Sequence, residues 1–252
     1  MMGLSPQSKT EAMHTVILLP GLACDAAIWR DQLPALSAQH TVQVSDVHQR
    51  HDDLPAMARA LLAQTEGPLV LVGSSMGGML ALHAHREAPQ RIAALALLSS
   101  TARADTAELI RLRSDAIVEF EQGRAEAVLR ANAMFALHPA HAEDRAWVDD
   151  YVGQILRAGA AQLIAQNRAV MKRCDMRPWL ADIGCPLLVA CGDGDLLTPP
   201  EHSREIAQAV PQARLEVVPG AGHLMTWEQP ERVNALLLHW LAGLQPLHRR
   251  AR

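Results

Sequence analysis

Leu69-Val70-Leu71-Val72-Gly73-Ser74-Ser75-Met76-Gly77-Gly78 is the stretch on which the reading of this chain turns. Four apolar residues without a polar interruption describe a strand buried on both faces, and residues 79–87 follow as a helical run. Strand, sharp reversal, helix is the context in which G-x-S-x-G carries chemical meaning. Only one serine fits the frame: Gly73 and Gly77 bracket Ser75, whereas centring on Ser74 would need glycine at Val72. A serine at the tip of such a reversal has a strained backbone and requires small residues two positions to either side. Its hydroxyl then stands at the carboxyl edge of the sheet. The adjacent helix N-terminus, with unpaired N–H groups and a positive dipole end, favours a developing anion there. Ser75 is therefore the candidate nucleophile, and the Met76 N–H is a candidate donor to that anion.

Outward from this turn, strands and helices alternate. Residues 14–20 form a first strand that ends at Pro20-Gly21, and the following segment turns into a helix capped at Asp25 and continuing toward Leu33. A short strand is expected at 41–45, a helix at 54–65 and another buried strand at 92–98. Beyond residue 102 no strand is convincing; apolar residues recur at helical spacing in 106–121, 124–137, 143–156 and 160–172. The sheet resumes at 186–191, followed by a loop to Pro200, a helix at 201–209 and a last strand at 214–218. The loop Pro219-Gly220-Ala221-Gly222-His223 and an amphipathic helix at 230–241 complete the pattern. Alternation of this kind predicts an α/β fold with a mostly parallel sheet of about six strands covered by helices on both faces. Residues 13–101 and 181–244 are expected to make the core domain, and 102–180 a helical cap, or lid, inserted before the acid-bearing strand; further crossover helices are the plainer alternative. Residues 1–12 and the basic tail after Gln245 read as loose ends.

The 252 residues suffice for one large domain with a sizeable core. With 49% apolar and 20% charged residues and a net charge of −4, the composition gives no reason to expect a nucleic acid or a membrane surface as partner. No apolar run approaches the roughly 18–20 residues of a membrane span, and residues 1–10 lack the pattern of a secretory signal. Cys24, Cys174, Cys185 and Cys191 have no C-x-x-C spacing and read as free, mostly buried thiols in a reducing, cytoplasmic setting.

A serine hydroxyl needs a base to take its proton, and the base needs an acid to hold its tautomer. Among 12 histidines, His223 alone follows a strand in a glycine-rich loop. His83 and His85 lie within the helix after Ser75, His14 begins a strand and His239 lies on the last helix. The pairs His48/His51 and His83/His85 lack the i, i+4 spacing and third ligand of a metal site, so no metal is expected. Asp193 and Asp195 share the loop after the penultimate strand; Asp195 is preferred, although an aspartate flanked by glycine is often only a turn residue. The order Ser75, Asp195, His223 is the one expected for a triad on this type of sheet.

Four motifs in sequence carry a resemblance. These are Leu19-Pro20-Gly21-Leu22, Gly73-Ser74-Ser75-Met76-Gly77, Gly192-Asp193-Gly194-Asp195 leading to Thr198-Pro199-Pro200, and Gly222-His223 leading to Glu228-Gln229-Pro230-Glu231. Over residues 16–241 the chain resembles the α/β-hydrolase superfamily, and most of all its small carboxylesterase, enol-lactonase and C–C hydrolase branch. The resemblance implies Asp195 as the acid, three residues before Thr198-Pro199-Pro200, and an oxyanion hole formed by the backbone N–H groups of Leu22 and Met76. Donors of this kind are each typically worth on the order of 100- to 1,000-fold in rate. It further implies hydrolysis of a small to medium ester or lactone through an acyl-enzyme, with neither metal nor organic cofactor.

Three departures stand out. Pro20-Gly21 replaces the His-Gly of many relatives, the segment after Asp46 lacks their glycine-rich stretch, and the two-stranded hairpin that usually precedes the first strand is not expected here. Trp29, Met134, Phe135, Trp147, Tyr151, Met171 and Met225 are candidate substrate-lining residues, with ordinary packing as the competing explanation for each. Arg103, Arg168 and Lys172 could meet a substrate carboxylate or be solvated charges. The alternatives are a thioesterase, a C–C hydrolase or haloperoxidase-like chemistry on the same triad, or a ligand-binding protein with slow turnover. A small-molecule partner and a monomer or homodimer are expected.

Overall fold

The computed structural model describes residues 15–244, so the two expected loose ends lie outside the described residues. The strands are β1 (Thr15–Leu19), β2 (Thr41–Val44), β3 (Leu69–Ser74), β4 (Ile92–Leu98), β5 (Leu187–Gly192) and β6 (Ala213–Val218). They form one parallel sheet of six strands in the order β2-β1-β3-β4-β5-β6. The chain leaves β1 toward one edge, to β2, and returns on the other side of β1 to make β3. A crevice at the carboxyl ends of strands where the order reverses in this way is where open α/β sheets bind ligands. Here the crevice lies between the segments that follow β1 and β3.

Alternation along the strands explains why they read as unbroken apolar runs. Val16, Leu18, Val70, Val72, Ala96 and Leu98 belong to the core on one face, and Ile17, Leu19, Leu69, Leu71, Leu95 and Leu97 to the core on the other. With both faces covered, neither set can be polar. The covering helices are α1 (Gln32–Ser37), α2 (Leu54–Gln64), α3 (Met76–Glu87), α4 (Ala107–Glu121), α5 (Ala125–Ala136), α6 (Arg145–Arg157), α7 (Gly159–Met171), α8 (Pro200–Ala209), α9 (Met225–Glu228) and α10 (Pro230–Ala242). The helices α4 to α7 lie between β4 and β5 in sequence, as the helical periodicity of that region predicts.

Two local readings need correction. The helix expected to run from Asp25 toward Leu33 is instead a 3-10 turn, Ala26–Trp29, capped by Asp25, followed by the separate helix α1. Pro34 explains the break: in a continuous helix it would lack the N–H owed to Arg30 and its ring would clash there, whereas within the first turn of α1 neither problem arises. The one-turn helix α9 and the 3-10 turn Arg177–Asp182 were not expected; both are too short to show a periodic pattern.

The turn from β3 to α3 depends on bare backbone. A Cβ on Gly73 would collide with the Gly77 carbonyl, and a Cβ on Gly77 would collide with the Leu19 carbonyl at the end of β1. The obstacles are main chain, which cannot swing aside. Gly77→Ala should therefore cost about 2–4 kcal/mol, read from urea unfolding. Gly153→Ala, at an exposed position of α6 with nothing within 4 Å, should instead add about 0.5–1 kcal/mol.

His83, on α3, is 6% exposed and its Nε2 has no hydrogen-bond partner. Burial, helped by the nearby Arg86 charge and opposed by Asp53, lowers its pKa from 6.5 to about 4. The unfolded chain takes up this proton near pH 6.5 and the folded chain only near 4, so the group's contribution to stability is complete above 6.5 and is lost as pH falls toward 4. His83→Gln should flatten the fall in unfolding free energy over that interval while leaving its value at pH 8 less affected, a difference that denaturant titrations at several pH values will resolve.

Candidate active site

Ser75 occupies the reversal with φ of 52° and ψ of −115°, a left-handed conformation that side chains rarely adopt. Its N–H donates to Leu98 O at 2.8 Å, and Ser100 Oγ donates to its carbonyl at 2.8 Å, so β4 and the segment after it hold the strained residue in place. Ser75 is half-buried, while Ser74 is 5% exposed and serves as the last residue of β3.

His223 Nε2 lies 2.8 Å from Ser75 Oγ. On its other side, Nδ1 lies 3.1 and 3.0 Å from the two carboxylate oxygens of Asp195 and 3.2 Å from Thr198 Oγ1. Asp195 is 1% exposed, and its oxygens also accept from the N–H groups of Leu197 and Thr198 at 3.0 and 2.9 Å and from Thr198 Oγ1 at 2.9 Å. Burial alone would raise this carboxyl's pKa, but the attraction of His223, its hydrogen bond and the donations from Thr198 together hold it below the ordinary value. Asp193 sits elsewhere: it accepts the Gly220 N–H at 2.9 Å and bridges the two loops.

The imidazole's backbone is held from the helical segment. His223 N–H donates to Ala136 O, at the end of α5, at 2.9 Å. The buried Glu228 accepts from Gly222 N–H and His138 N–H, both at 2.6 Å, and lies 3.0 Å from His141 Nδ1.

The segment after β1 comes up against the same turn, so closely that a Cβ on Gly21 would stand 3.3 Å from Ser75 Cβ. Among the described residues no protein acceptor takes the N–H of Leu22 or Met76. Ala23 has φ of 54°, and its N–H donates to Gln166 Oε1, on α7, at 2.6 Å. Gln166 Nε2 donates to His48 O at 3.0 Å, and the His48 ring nitrogen Nε2 donates to Cys24 O at 2.8 Å. Asp25 receives Gln154 Nε2, on α6, at 2.9 Å and the Ala27 N–H at 2.8 Å. Burial, with Asp25 adding to it, pushes the Cys24 thiol up to about 12, which makes it a packing group. Cys191 is likewise buried, whereas Cys174 is exposed and Cys185 only partly covered, short of the burial expected of them.

The candidate lining residues divide. Trp29 and Met225 are 0% and 1% exposed and belong to the core on one face of the sheet; Tyr151, at 8%, joins the same core. Trp147 is half-buried and stacks on the His141 ring at 4.5 Å, and Met171 is half-buried at the end of α7. Met134 and Phe135 lie on the surface of α5, 55% and 41% exposed, because the buried stripe of that helix is Ala125, Leu129, Ala133 and Ala136. Arg103 and Arg168 are spoken for by Glu205 and Glu121 in ion pairs of 2.8 and 3.0 Å. A cleft of about 290 Å³ between the C-terminal half of α3 and the turn Arg177–Asp182 lies at the other end of α3 from Ser75. Among the described residues no group of three or more histidine, cysteine or carboxylate side chains could hold a metal ion, and no helix is long and apolar enough to cross a membrane.

Gln154 and Gln166 are the residues beside the site that sequence reasoning passed over, and His48 was weighed only as a metal ligand. Their signal was present: Gln166 falls on the apolar stripe of α7 with Leu163 and Val170, and Gln154 on that of α6 with Tyr151 and Ile155. A polar side chain on a buried stripe must find a partner.

Comparison with known proteins agrees with this architecture. The chain is 26% identical to the Serratia proteamaculans protein provisionally named carbamate hydrolase RutD, over 94% of both chains. It is also 26% identical to a pimeloyl-[acyl-carrier protein] methyl ester esterase of Neisseria meningitidis, over 94% of this chain and 96% of that one. The solved structure of a thermophilic esterase from Thermogutta terrifontis superposes with a TM-score of 0.82 at 27% identity, covering 94% of this chain and 92% of that one. Residues 14–230 match the family model described as the alpha/beta hydrolase fold. With six parallel strands, a serine at the β3–α3 reversal and family similarity over nearly the whole chain, the protein belongs to the α/β-hydrolase fold family.

Proposed function

We propose that this protein is a serine hydrolase that cleaves small to medium carboxylic esters or lactones through an acyl-enzyme, with Ser75, His223 and Asp195 as its triad. The observation that carries the reading is the unbroken chain of contacts from Ser75 Oγ through both ring nitrogens of His223 to a buried, ionised Asp195. Ser75 Oγ bonds to the substrate carbonyl carbon while its proton passes to His223 Nε2. The carbonyl oxygen becomes an anion received by the N–H groups of Leu22 and Met76. The tetrahedral intermediate collapses by breaking the bond to the alcohol oxygen, which takes the proton from His223. Water then adds to the acyl-enzyme, giving one proton to His223 and its hydroxyl to the carbonyl carbon, and the acid leaves as Ser75 recovers its proton. Asp195 holds Nδ1 protonated and stabilises the imidazolium throughout. The names of two relatives as esterases support an ester, and the carbamate name of a third describes a carbonyl open to the same attack. In this reading α4 to α7 act as a lid over the site, and the partner is a small molecule.

Ser75→Ala should lower p-nitrophenyl acetate and butyrate hydrolysis by on the order of 10⁴-fold or more; equal rates in the two proteins would exclude the mechanism. A fluorophosphonate should label Ser75, and a mass-spectrometric adduct on Ser74 would contradict the assignment.

Asp195→Asn should reduce kcat by about 10⁴-fold, because the amide favours the wrong imidazole tautomer. Asp193→Asn, which can still accept from Gly220, should stay within a few-fold of the parent. Steady-state kinetics showing the reverse order would reassign the acid.

A further inference from the structure

The segment that follows β1 is held in a conformation it would not keep alone. Ala23 has φ of 54°, a left-handed backbone at a residue with a Cβ, which costs on the order of 1 kcal/mol or more unless its surroundings enforce it. The surroundings are a closed circuit of buried hydrogen bonds. Gln166 Oε1 accepts the Ala23 N–H at 2.6 Å, Gln166 Nε2 donates to His48 O at 3.0 Å, and the His48 ring donates to the carbonyl of Cys24 at 2.8 Å. Gln162 Oε1 accepts a further bond from Gln166 Nε2 at 2.9 Å and sets the orientation of the amide. Gln166 is 1% exposed and His48 2% exposed, so water does not substitute for either.

We propose that Gln166 is a positioning residue for the oxyanion hole: from the helical segment it fixes the peptide between Leu22 and Ala23, and through it the direction of the neighbouring Leu22 N–H. The inference rests on the serine-hydrolase reading above and deepens it. Leu22 N–H and the peptide held by Gln166 are joined at one α-carbon, so rotation of the held peptide turns the donor. Released from Gln166, Ala23 loses the contact that offsets its strain and relaxes toward negative φ. A donor displaced by about 1 Å loses much of its value to the transition state while barely altering ground-state binding. The arrangement also makes the hole depend on the docking of α7, so the helices between β4 and β5 contribute to the chemistry itself as well as to any cover over it.

The test compares the parent with Gln166→Leu and Gln166→Glu, using p-nitrophenyl butyrate kinetics and inhibition by an alkyl trifluoromethyl ketone, whose adduct with Ser75 carries the oxyanion. For Gln166→Leu, kcat should fall about 10- to 100-fold and ketone affinity should fall by a similar factor, with KM within about threefold of the parent. Gln166→Glu, neutralised by its burial, keeps an acceptor for the Ala23 N–H and an O–H that donates to His48 O in place of the amide, and should recover most of both quantities. A merely structural role would lower the melting temperature without moving the ketone affinity of the folded enzyme, and that result overturns the proposal. So does a glutamate variant as impaired as the leucine one, which also decides the matter should Gln166→Leu fail to fold. If Gln166→Leu is unaffected while Ser75→Ala is inactive, the positioning role alone fails; if Ser75→Ala hydrolyses as fast as the parent, both readings fall.

Discussion

Close approach of main chain to main chain at the β3–α3 reversal is the constraint on which this molecule depends. The end of β1, the last residues of β3 and the first turn of α3 converge so tightly that neither Gly73 nor Gly77 has room for a Cβ. That convergence forces Ser75 to a positive φ and leaves its side chain at the carboxyl edge of the sheet. The strain is held by the backbone bond to Leu98 of β4 and by Ser100, so the position of the hydroxyl is set by the sheet. A reacting group benefits from such rigidity, because misplacement by about 1 Å costs rate steeply.

Around that fixed point the remaining groups arrive from separate strands. Asp195 follows β5, His223 follows β6 and Leu22 follows β1, and the parallel sheet delivers all of them to one edge. The carboxylate is buried yet saturated with donors, which keeps it charged beneath the imidazole and gives the ring a defined orientation. Buried charge without those partners would neutralise itself or unfold its surroundings.

The helices between β4 and β5 reach the site through hydrogen bonds. Through Ala136 they accept the backbone N–H of His223, through His138 they share Glu228 with the loop before it, and through Gln154 and Gln166 they grip the segment after β1. Both sides of the proposed catalytic centre are thus tied to the same helical block, and a change in its docking would be felt at the base and at the anion donors together.

Periodicity and glycine placement were enough to read the six strands and the frame that singles out Ser75, because each follows from local rules, two-faced burial and bare backbone at a reversal; the loop after β5 offers Asp193 as well as Asp195, and the preference for Asp195 leaned on the resemblance of its motif to the family's. The helix expected from Asp25 toward Leu33 divides because α1 runs on through Pro34, which a single helix from Asp25 could not hold in its interior. What the chain's linear order could not decide was which polar residues on apolar helix stripes meet which loops. Gln166 and Ala23 lie 143 residues apart, and Gln154 and Asp25 129 apart. Likewise Met134 and Phe135 look like lining residues by type, yet the rotation of α5 turns them to the surface. Local chemistry selects the elements and the reactive side chains; the directions in which helices face, and hence the partners of their buried polar groups, are settled only when the elements pack, since burial is a property of neighbours and not of sequence position.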